Sequence, residues 1–341
     1  MAFLRDSWYP AAWSDEVGEA PFARTLLDEP IVIFRVTDGA PVALADRCCH
    51  RALPLSMGRV VAGELQCGYH GLTFDRAGAC TAVPGQSSIP PGAGVRAYPA
   101  VERWGWIWLW MGEAGAADPA DVPDFHWLDD PAWVGGTGRL HLAANYQNIV
   151  DNLTDHTHLQ FVHQRTLGSS DVSDAMVEAT RVGDELRIER WLIDRPPPPL
   201  YAGAGGMSSN VDRWMNCQLS PAANFVLDIG CAPTGTGAPQ GDRDRGIELK
   251  SLHVLCPESD GSTHYFWGFM RNFAIEDAAL TARIDAEAKA TFEEDVAVLE
   301  AQQRSIDASL GASMIDRQAD TPPLLARRIM RDLIGRAREA S

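Results

Sequence analysis

Two cysteines and two histidines in the first quarter of the chain have the spacing of a metal site. The pattern is Cys48-x-His50 followed, after sixteen residues, by Cys67-x-x-His70. Thiolate and imidazole ligands bind either a zinc ion or an iron–sulfur cluster. Zinc fingers usually pair cysteine with cysteine and histidine with histidine, whereas each half of this pattern supplies one of each. The arrangement therefore favours a [2Fe–2S] cluster in which one iron takes both thiolates and the other both imidazoles.

Histidine ligation changes the chemistry of such a cluster. Two neutral imidazoles in place of thiolates raise its reduction potential to roughly −150 to +300 mV, well above that of plant-type ferredoxins. A cluster of this kind accepts and relays electrons. Gly68 and Gly71 flank the second histidine, and they allow backbone amides to approach the cluster sulfurs closely. Cys49 breaks the Cys-x-His register, so we interpret it as a structural thiol.

A second group of metal-binding residue types lies within thirteen residues: Asp151, Asp155, His156, His158 and His163. A single histidine is more often an ordinary interior residue, but three beside acids favour a metal site. His158 and His163 are five residues apart, which is about 140° around an ideal helix. Both reach one ion only if the helix is distorted or ends between them. His156 points about 160° away from His158 on a helix, so we interpret it as non-ligating.

The third ligand is expected from a long helix predicted over Glu276–Asp307. Ile284, Ala288, Phe292 and Leu299 all lie within about 60° of Asp295 on that helix, which places Asp295 on its apolar face. A carboxylate on such a face needs a cation or hydrogen bonds, and the alternative partner is a buried arginine. With His158 and His163, Asp295 would complete a two-histidine, one-carboxylate triad, which leaves positions open for oxygen at Fe(II).

The elements around the first motif are predicted to be strands. Ile31–Val36 and Pro41–Ala45 flank the turn signal at Asp38-Gly39. Trp104–Trp110 alternates tryptophan with other residues, which indicates a strand. Its tryptophans could form a ligand platform, but we favour a core strand. The segment Gly112–Gly138 is rich in Ala, Pro, Asp and Gly, and we interpret it as a connector.

The rest of the chain is predicted to mix helices and strands. We expect Asn145–Leu167 to be largely helical, and we expect helices over Glu276–Asp307 and Pro322–Ala340. Strands are expected over Thr180–Ile193, Arg213–Ile229, Ile247–Leu255 and Thr263–Asn272. Two Gly- and Pro-rich segments, Arg195–Asp212 and Thr234–Gly246, are long enough that one could be a lid, the alternative being a surface loop. The predicted fold class is α+β, with domains at residues 1–134 and 135–341.

Composition excludes several classes of function. The formal net charge of −17 repels phosphate backbones, so nucleic acid is not expected as a partner. Apolar runs are too short to span a bilayer, so no membrane association is expected. Seven cysteines, an odd number, and the absence of a visible signal peptide argue against a disulfide framework. These features predict a cytoplasmic protein.

The motifs together resemble those of a known family, the oxygenase (alpha) components of Rieske non-haem iron oxygenases. More narrowly, the chain resembles the group of vanillate O-demethylase, dicamba O-demethylase and toluenesulfonate methyl-monooxygenase. The resemblance runs nearly end to end and is carried by these segments: Trp8-Tyr9-Pro10-Ala11-Ala12-Trp13, Cys48-Cys49-His50-Arg51, Cys67-Gly68-Tyr69-His70-Gly71-Leu72, Pro84-Gly85-Gln86, Asp151-Asn152-Leu153, His158, His163 and Tyr265–Phe273. The Asp155-x-x-His158-x-x-x-x-His163 pattern is the part typical of oxygenases.

The resemblance implies a role for each motif residue. Cys48 and Cys67 would hold one iron of the [2Fe–2S] cluster, and His50 and His70 the other. His158, His163 and Asp295 would hold a mononuclear catalytic Fe(II). Asp155 would bridge a cluster histidine of one subunit and an iron-ligand histidine of the next, and Asn152 would lie close to the iron. On strands expected to line the pocket, Asn224 and His253 would bind an anionic group of the substrate, or else be ordinary polar strand residues.

The resemblance also implies the architecture and the partners. An all-β Rieske domain would precede a helix-grip catalytic domain, in which a curved antiparallel sheet wraps a long helix. The family implies a homotrimer and a separate NAD(P)H-dependent reductase that carries flavin and an iron–sulfur cluster. Its reaction would be O2-dependent hydroxylation or oxidative O-demethylation of an aromatic, anionic substrate.

Two other functions fit parts of the pattern. A Rieske electron-transfer protein with a non-catalytic ligand-binding domain would have no mononuclear iron and no need for Asp295. A sensor would bind its ligand in the second domain without consuming O2. The complete triad argues against both.

Overall fold

The computed structural model describes residues 3–163, 177–309 and 313–340. The chain divides into two compact units. The first comprises Met1–Val122 with Cys256–Asp260, and the second comprises Pro123–Leu255 with Gly261–Ser341. The domain boundary between residues 134 and 135 stays a prediction.

The first unit is built from short strands. They are β1 (Trp8–Trp13), β2 (Phe22–Leu26), β3 (Glu29–Arg35), β4 (Pro41–Ala45), β5 (Arg59–Val61), β6 (Glu64–Gln66), β7 (Thr73–Phe74), β8 (Cys80–Ala82), β9 (Ala97–Tyr98), β10 (Ala100–Arg103) and β11 (Trp106–Trp110). In the described part of this unit they form three sheets with strand orders β1-β11-β10, β2-β3-β4-β9 and β5-β6-β7-β8. The two strands predicted on either side of Asp38-Gly39 are confirmed as the antiparallel pair β3 and β4.

The tryptophan-rich strand β11 lies in the core. All five of its residues are buried, because β1 and β10 pair with its two edges and neighbouring side chains cover both faces. Trp106 stacks on Trp13 with ring centroids 4.6 Å apart. The core-strand interpretation is therefore confirmed. Trp104 is the exception, since its φ of 58° places it in the turn before the strand.

The second unit combines one large sheet with helices. Its strands are β12 (Val134–Leu142), β13 (Val177–Val182), β14 (Glu185–Arg195), β15 (Val211–Ser220), β16 (Asn224–Pro233), β17 (Ile247–Ser259) and β18 (Ser262–Arg271). The last residues of β17, from Cys256 on, belong to the first unit. Within the described residues they form one sheet in the order β12-β18-β17-β16-β15-β14-β13. The helices are α1 (Tyr146–Thr154), α2 (Leu159–Val162), α3 (Pro199–Gly203), α4 (Ala278–Ala308) and α5 (Thr321–Ala340). The predicted α+β fold class, with a helix-grip second part, is confirmed.

Helix α4 packs through the face that its sequence pattern predicted. Its buried residues are Leu280, Ile284, Ala288, Thr291, Phe292, Asp295, Leu299 and Gln303. Gln303 Oε1 accepts hydrogen bonds from Asn145 N at 2.9 Å and from Asn148 Nδ2 at 3.0 Å. These bonds fix the start of α1 against α4, and both helices carry predicted iron-site residues.

Two predicted strands are hairpins. Thr180–Ile193 covers parts of β13 and β14, with a turn at Gly183 and Asp184 between them. Arg213–Ile229 is not one strand but the hairpin β15–β16, because Pro221 begins a reverse turn in which Ala222 and Ala223 have φ near +60°. The described part of Asn145–Leu167 is largely helical, as predicted, but Asp155 is extended (φ −114°, ψ 103°) and ends α1. A 3-10 turn at His156–His158 and the short α2 follow. Residues 164–167 lie outside the described residues.

The long Gly- and Pro-rich segments differ from each other. Arg195–Asp212 contains α3, in which Tyr201 is buried. Thr234–Gly246 contains only a 3-10 turn at Ala238–Gln240. Among the helices that the structure describes, none has the length and apolar character needed to cross a membrane.

Candidate metal centres

The two halves of the Cys/His motif adopt the same loop in the first unit. The amide of each cysteine donates to the carbonyl five residues on, and its carbonyl accepts from the amide four residues on. The bonds are Cys48 N to Leu53 O (2.9 Å), Ala52 N to Cys48 O (3.0 Å), Cys67 N to Leu72 O (2.8 Å) and Gly71 N to Cys67 O (3.1 Å). Each of the two loops therefore supplies one cysteine and one histidine, and the loops face each other across a single candidate cluster site.

Close backbone packing explains why glycine occupies two positions in the second of these loops. Gly71 has a φ of +75°, and a Cβ there would lie 2.9 Å from Pro84 Cγ. A Cβ on Gly68 would lie 2.6 Å from the backbone oxygen of Met57. Packing against Met57 and Pro84 thus leaves no room for a side chain at either glycine, and the approach of backbone amides to the cluster sulfurs stays a prediction. In the first loop Ala52 adopts the corresponding positive φ of 58°.

The four predicted cluster ligands divide into a buried and an exposed pair. Cys48 and Cys67 are each 3% exposed and lie in an apolar core cluster. His50 and His70 are exposed, with ring centroids 4.6 Å apart. Burial raises the pKa of the Cys48 thiol, although the His50 amide aimed at its sulfur acts in the opposite direction. Two inner sulfurs and two outer imidazoles fit a [2Fe–2S] cluster with Cys2His2 ligation.

In the second unit, His158, His163 and Asp295 converge on one point, and we call these three residues the triad. Their ligand atoms all lie within 4.8 Å of one another. Asp295 Oδ1 is 3.2 Å from His163 Nε2 and 3.6 Å from His158 Nε2. Three donors about 2.1 Å from one ion, at right angles to each other, lie about 3 Å apart. The spacing therefore fits a single metal ion.

Hydrogen bonds on the outer side of each imidazole set its orientation. His158 Nδ1 donates to the backbone oxygen of Asp155 at 2.6 Å. His163 Nδ1 donates to Glu294 Oε2 at 3.0 Å. In both rings Nε2 is the atom that faces Asp295, and it is the atom that could bind a metal while Nδ1–H keeps its hydrogen bond. Burial opposes a positive charge on His163, but Asp295 and Glu294 raise its pKa overall.

Asp295 is held by amide and imidazole groups rather than by arginine. It is 8% exposed, and Asn152 Nδ2 donates to its Oδ1 at 3.1 Å. Asn152 Nδ2 also lies 3.4 Å from His158 Nε2. The structure thus brings the predicted Asn152 to the triad. In the described part of the chain, no arginine pairs with Asp295, so the alternative of a buried Asp–Arg pair finds no support.

Asp155 lies beside the triad but turns its side chain away from it. Its carboxylate accepts from Thr157 N at 2.8 Å, from Thr157 Oγ1 at 3.0 Å and from Arg317 Nη2 at 2.9 Å. Only its carbonyl contacts His158. In the single chain, therefore, the carboxylate expected to bridge subunits is held by Arg317.

His156 has partners of its own away from the triad. Arg190 Nη1 lies 3.2 Å from its Nδ1, and Cys217 Sγ lies 3.8 Å from its Nε2. Burial first, and then the charge of Arg190, lowers the pKa of His156 to about 3. The expectation that His156 is not a ligand agrees with this geometry.

A cavity of about 280 Å³ opens beside the triad, between α4 and one face of the sheet. Along the strands it is lined by alternate residues, since successive side chains point to opposite faces. These are Arg213 and Met215 on β15, Phe225, Leu227 and Ile229 on β16, and Leu249, Ser251 and His253 on β17. The lining is mostly apolar, which suits a substrate with an aromatic or aliphatic body.

His253 lies in this wall between two hydroxyl groups. Its Nε2 is 2.8 Å from Ser251 Oγ, and its Nδ1 hydrogen-bonds Tyr265 Oη. Burial lowers the pKa of His253 to about 3 and raises that of Tyr265, so His253 is a neutral ring. If Tyr265 donates to Nδ1, then Nε2–H donates to Ser251, whose hydroxyl hydrogen is left to face the cavity.

Asn224 lies elsewhere in the sheet. It begins β16, and its Nδ2 donates to the backbone oxygen of Pro221 in the turn. It is not among the described residues that line the cavity, so a role in substrate binding stays a prediction. Sequence reasoning missed Glu294, Arg213, Ser251 and Tyr265. Only Arg213 gave a signal, since it interrupts an apolar strand face of Val211, Met215, Cys217 and Leu219.

Known proteins resemble the whole chain. The family model of the vanillate O-demethylase oxygenase C-terminal domain matches residues 142–336, and that of the Rieske [2Fe-2S] domain matches residues 7–99. The chain is 40% identical over 323 residues to the toluene-4-sulfonate monooxygenase system iron-sulfur subunit of Comamonas testosteroni, with 93% of each chain covered. It is 40% identical over 310 residues to the oxygenase component of dicamba O-demethylase from Stenotrophomonas maltophilia, with 89% of each covered.

A solved structure agrees with these matches. The crystal structure of dicamba monooxygenase with non-heme iron and dicamba is 32% identical, covers 100% of both chains and gives a TM-score of 0.84. The family resemblance predicted from the motifs is confirmed, and the electron-carrier alternative is not favoured. The chain therefore belongs to the Rieske non-haem iron oxygenases, in the family of the vanillate O-demethylase oxygenase subunit.

Proposed function

We propose that this chain is the oxygenase component of a two-component monooxygenase that oxidises a methyl or methoxy carbon of an aromatic, anionic substrate. The observation that carries the proposal is the triad, whose donor atoms lie within 4.8 Å of one another at the edge of an apolar cavity. Relatives named for toluene-4-sulfonate and for dicamba O-demethylation support the substrate class.

The proposal assigns each metal its ligands. Cys48, His50, Cys67 and His70 hold the [2Fe–2S] cluster, and His158, His163 and Asp295 hold the mononuclear iron. When bound, the Fe(II) supplies O2 activation, using electrons relayed by the cluster. The protein positions the two imidazoles through Glu294 and the Asp155 carbonyl.

Side chains of the cavity do the remaining work. Asn152 donates to Asp295 and so fixes the carboxylate that faces both imidazoles. Phe292, Leu227 and other apolar residues exclude water and orient the ring of the substrate. Ser251, supported by His253, offers a hydroxyl donor to a polar group of the substrate. The neutral His253 donates or accepts a hydrogen bond there but brings no charge.

The overall reaction balances for a methoxy substrate. R–OCH3, O2, NAD(P)H and H+ give R–OH, formaldehyde, water and NAD(P)+. One C–H bond of the methyl group becomes C–OH, and the resulting hemiacetal breaks its C–O bond to release formaldehyde. A substrate with a ring methyl group would instead keep the hydroxymethyl product.

Partners follow from the same proposal. NAD(P)H would reduce a separate reductase with flavin and an iron–sulfur cluster, which in turn would reduce this chain. We further propose a homotrimer in which Asp155 bridges the iron site of one subunit to the cluster of the next. The carboxylate lies three residues from His158, and its side chain is 14% exposed, so it is within reach of a neighbouring subunit. Cytoplasmic location stays a prediction.

Metal analysis of anaerobically purified protein tests the proposal. We expect about three irons and two sulfides per chain, and a Rieske EPR signal after dithionite reduction. With a reductase and NADH, methoxy- and methyl-substituted aromatic acids should then stimulate O2 consumption. Two irons and two sulfides, without further Fe(II) uptake on reconstitution, would contradict the catalytic site and favour the electron carrier.

A further inference from the structure

One arginine on the cavity wall has a buried nitrogen that no described residue satisfies. Arg213 lies on β15 and lines the cavity. Its Nε is buried and lacks a hydrogen-bond partner among the described residues. The nearest aromatic ring is that of Tyr201, whose centroid lies 5.9 Å from the guanidinium carbon. A contact of this length shields the cation without satisfying its N–H groups.

Lys250 on β17 and Arg243 in the loop before it are neutralised by carboxylates, whereas Arg190 and Arg271 of the same sheet hydrogen-bond to neutral groups. Lys250 Nζ lies 2.7 Å from Asp228 Oδ1 and 2.8 Å from Glu248 Oε2. Arg243 Nη1 lies 2.6 Å from Asp228 Oδ2. Within the described ranges, Arg213 forms no ion pair of this kind. Glu287 on α4 also lines the cavity, but it does not pair with Arg213 either.

Because Nε is closed off from the cavity as well, a ligand in the cavity would bind the terminal N–H groups of Arg213, which has no ion-pair partner among the described residues. Burying such a group alone is costly, and the missing partner is often a ligand. The planar fork of arginine matches two oxygens of a carboxylate or sulfonate. We infer that Arg213 binds the anionic group of the substrate. This inference specifies the substrate of the proposed function. It rests on that function, because it assumes that the oxidation takes place at the triad.

Strand register places Arg213 far from the triad. Arg213 pairs with Cys231, which pairs with Ile247. His253 lies six residues further along β17, which is about 20 Å at 3.3 Å per residue. Its ring packs against Phe292, with centroids 5.3 Å apart, one helical turn before Asp295 in α4. The anion site and the triad are therefore at opposite ends of the cavity.

This separation selects a substrate shape. The separation of about 20 Å is between backbone positions, so the Arg213 side chain covers part of it and the substrate the rest. The anionic group must then lie across the ring from the carbon that is oxidised, as in a para isomer or a longer molecule. An ortho isomer would place its anion near His253, which is a neutral ring. Arg213 therefore sets both the charge and the substitution pattern of the substrate.

Binding to the anaerobic holoenzyme tests this inference without requiring turnover. The probes are 4-methoxybenzoate, 4-toluenesulfonate, 2-methoxybenzoate and the neutral 4-methoxybenzamide, titrated by calorimetry. We expect Arg213→Gln to weaken both para anions by about 30-fold or more and to leave the amide unchanged. Arg213→Lys should recover part of the loss, because it keeps the charge but not the fork.

Controls separate charge recognition from packing. Arg187→Gln on β14, whose side chain is 53% exposed, should leave every affinity unchanged. Equal weakening of the amide and the acids by Arg213→Gln would mean that Arg213 only supports the wall. Unchanged anion affinity in a folded Arg213→Gln variant, or no wild-type binding of either para anion, would overturn the inference.

Turnover distinguishes this inference from the proposed function. If anion binding depends on Arg213 but no probe stimulates O2 consumption with a reductase, then the oxygenase proposal fails and the anion site stands. If O2 consumption proceeds while Arg213→Gln leaves the KM for 4-methoxybenzoate unchanged, then the reaction stands and the role of Arg213 is wrong.

Discussion

At the scale of single residues, the candidate iron site depends on side chains that hydrogen-bond to the predicted iron ligands without binding the metal themselves. Glu294 Oε2 accepts from His163 Nδ1 at 3.0 Å, and this bond leaves Nε2 free to bind a metal. His163 is 1% exposed, so water does not replace the carboxylate easily. The neighbouring Glu293 is exposed and forms only a surface contact with Lys289.

This difference gives a prediction with a matched control. Glu294→Ala should weaken Fe(II) binding about 10- to 100-fold, because the imidazole of His163 loses its orientation and its preferred tautomer. Glu293→Ala, one residue away on the same helix, should have no effect. Iron retained per chain after gel filtration, with inorganic sulfide as the internal standard, measures both. Full iron occupancy in Glu294→Ala would contradict the positioning role.

At the scale of elements, one carboxylate fastens several segments of the first unit. Glu29 begins β3, and its Oε2 accepts from Tyr98 Oη of β9 at 2.6 Å and from Arg96 Nη1 at 2.9 Å. Arg5 also pairs with it. Burial alone would raise the pKa of Glu29, but the hydrogen bonds from Tyr98 and Arg5 and the nearby positive charges lower it below 4.5.

The lowered pKa predicts a pH-dependent stability. A group with a depressed folded-state pKa stabilises the fold above its ordinary value and loses this effect as the pH falls through the folded-state value. Glu29→Gln should therefore lower the free energy of unfolding by about 1–3 kcal/mol at neutral pH. The difference should shrink as the pH is lowered below 4.5. Urea unfolding followed by tryptophan fluorescence measures it, and the exposed Glu113→Gln serves as control.

At the scale of the whole molecule, the cluster ligands and the triad belong to different units of the chain. If electrons pass between subunits, a chain without a cluster and a chain without the iron site should together regain activity in a mixed oligomer. Mixing Cys67→Ser chains with Asp295→Ala chains should give about one quarter of the wild-type activity per chain, because in a cyclic oligomer about half of the iron-competent chains have a competent neighbour. Native mass spectrometry reports whether the mixed species are trimers.

A second substitution tests whether the electrons pass through Asp155. Asp155→Asn in the Cys67→Ser chain, which keeps its iron ligands, should abolish the regained activity. The same change in the Asp295→Ala chain should not, since that chain contributes only its cluster. No regained activity in mixed trimers would mean that the electron path lies within one chain.

Much of the candidate site could be predicted from residue spacing over short stretches of the chain. Each Cys/His half-motif closes a loop of six residues, so its ligands are fixed by short-range hydrogen bonds that recur in both halves. The position of Asp295 on α4 followed from helical periodicity. Hairpin turns and helix breaks were harder, because the turn at Pro221 and the extended Asp155 interrupt patterns that otherwise continue.

The sequence by itself determined the metal motifs, the face of α4 that carries Asp295 and the family of the chain, because all of these depend on spacing along the backbone. Only the tertiary structure decided that Glu294 orients His163 across 131 residues and that Arg317 holds the Asp155 carboxylate. It also decided that Arg213 lines the cavity without an ion-pair partner among the described residues. These contacts arise where elements distant in sequence pack against each other. Which residues meet there cannot be deduced from the residue spacing within either element.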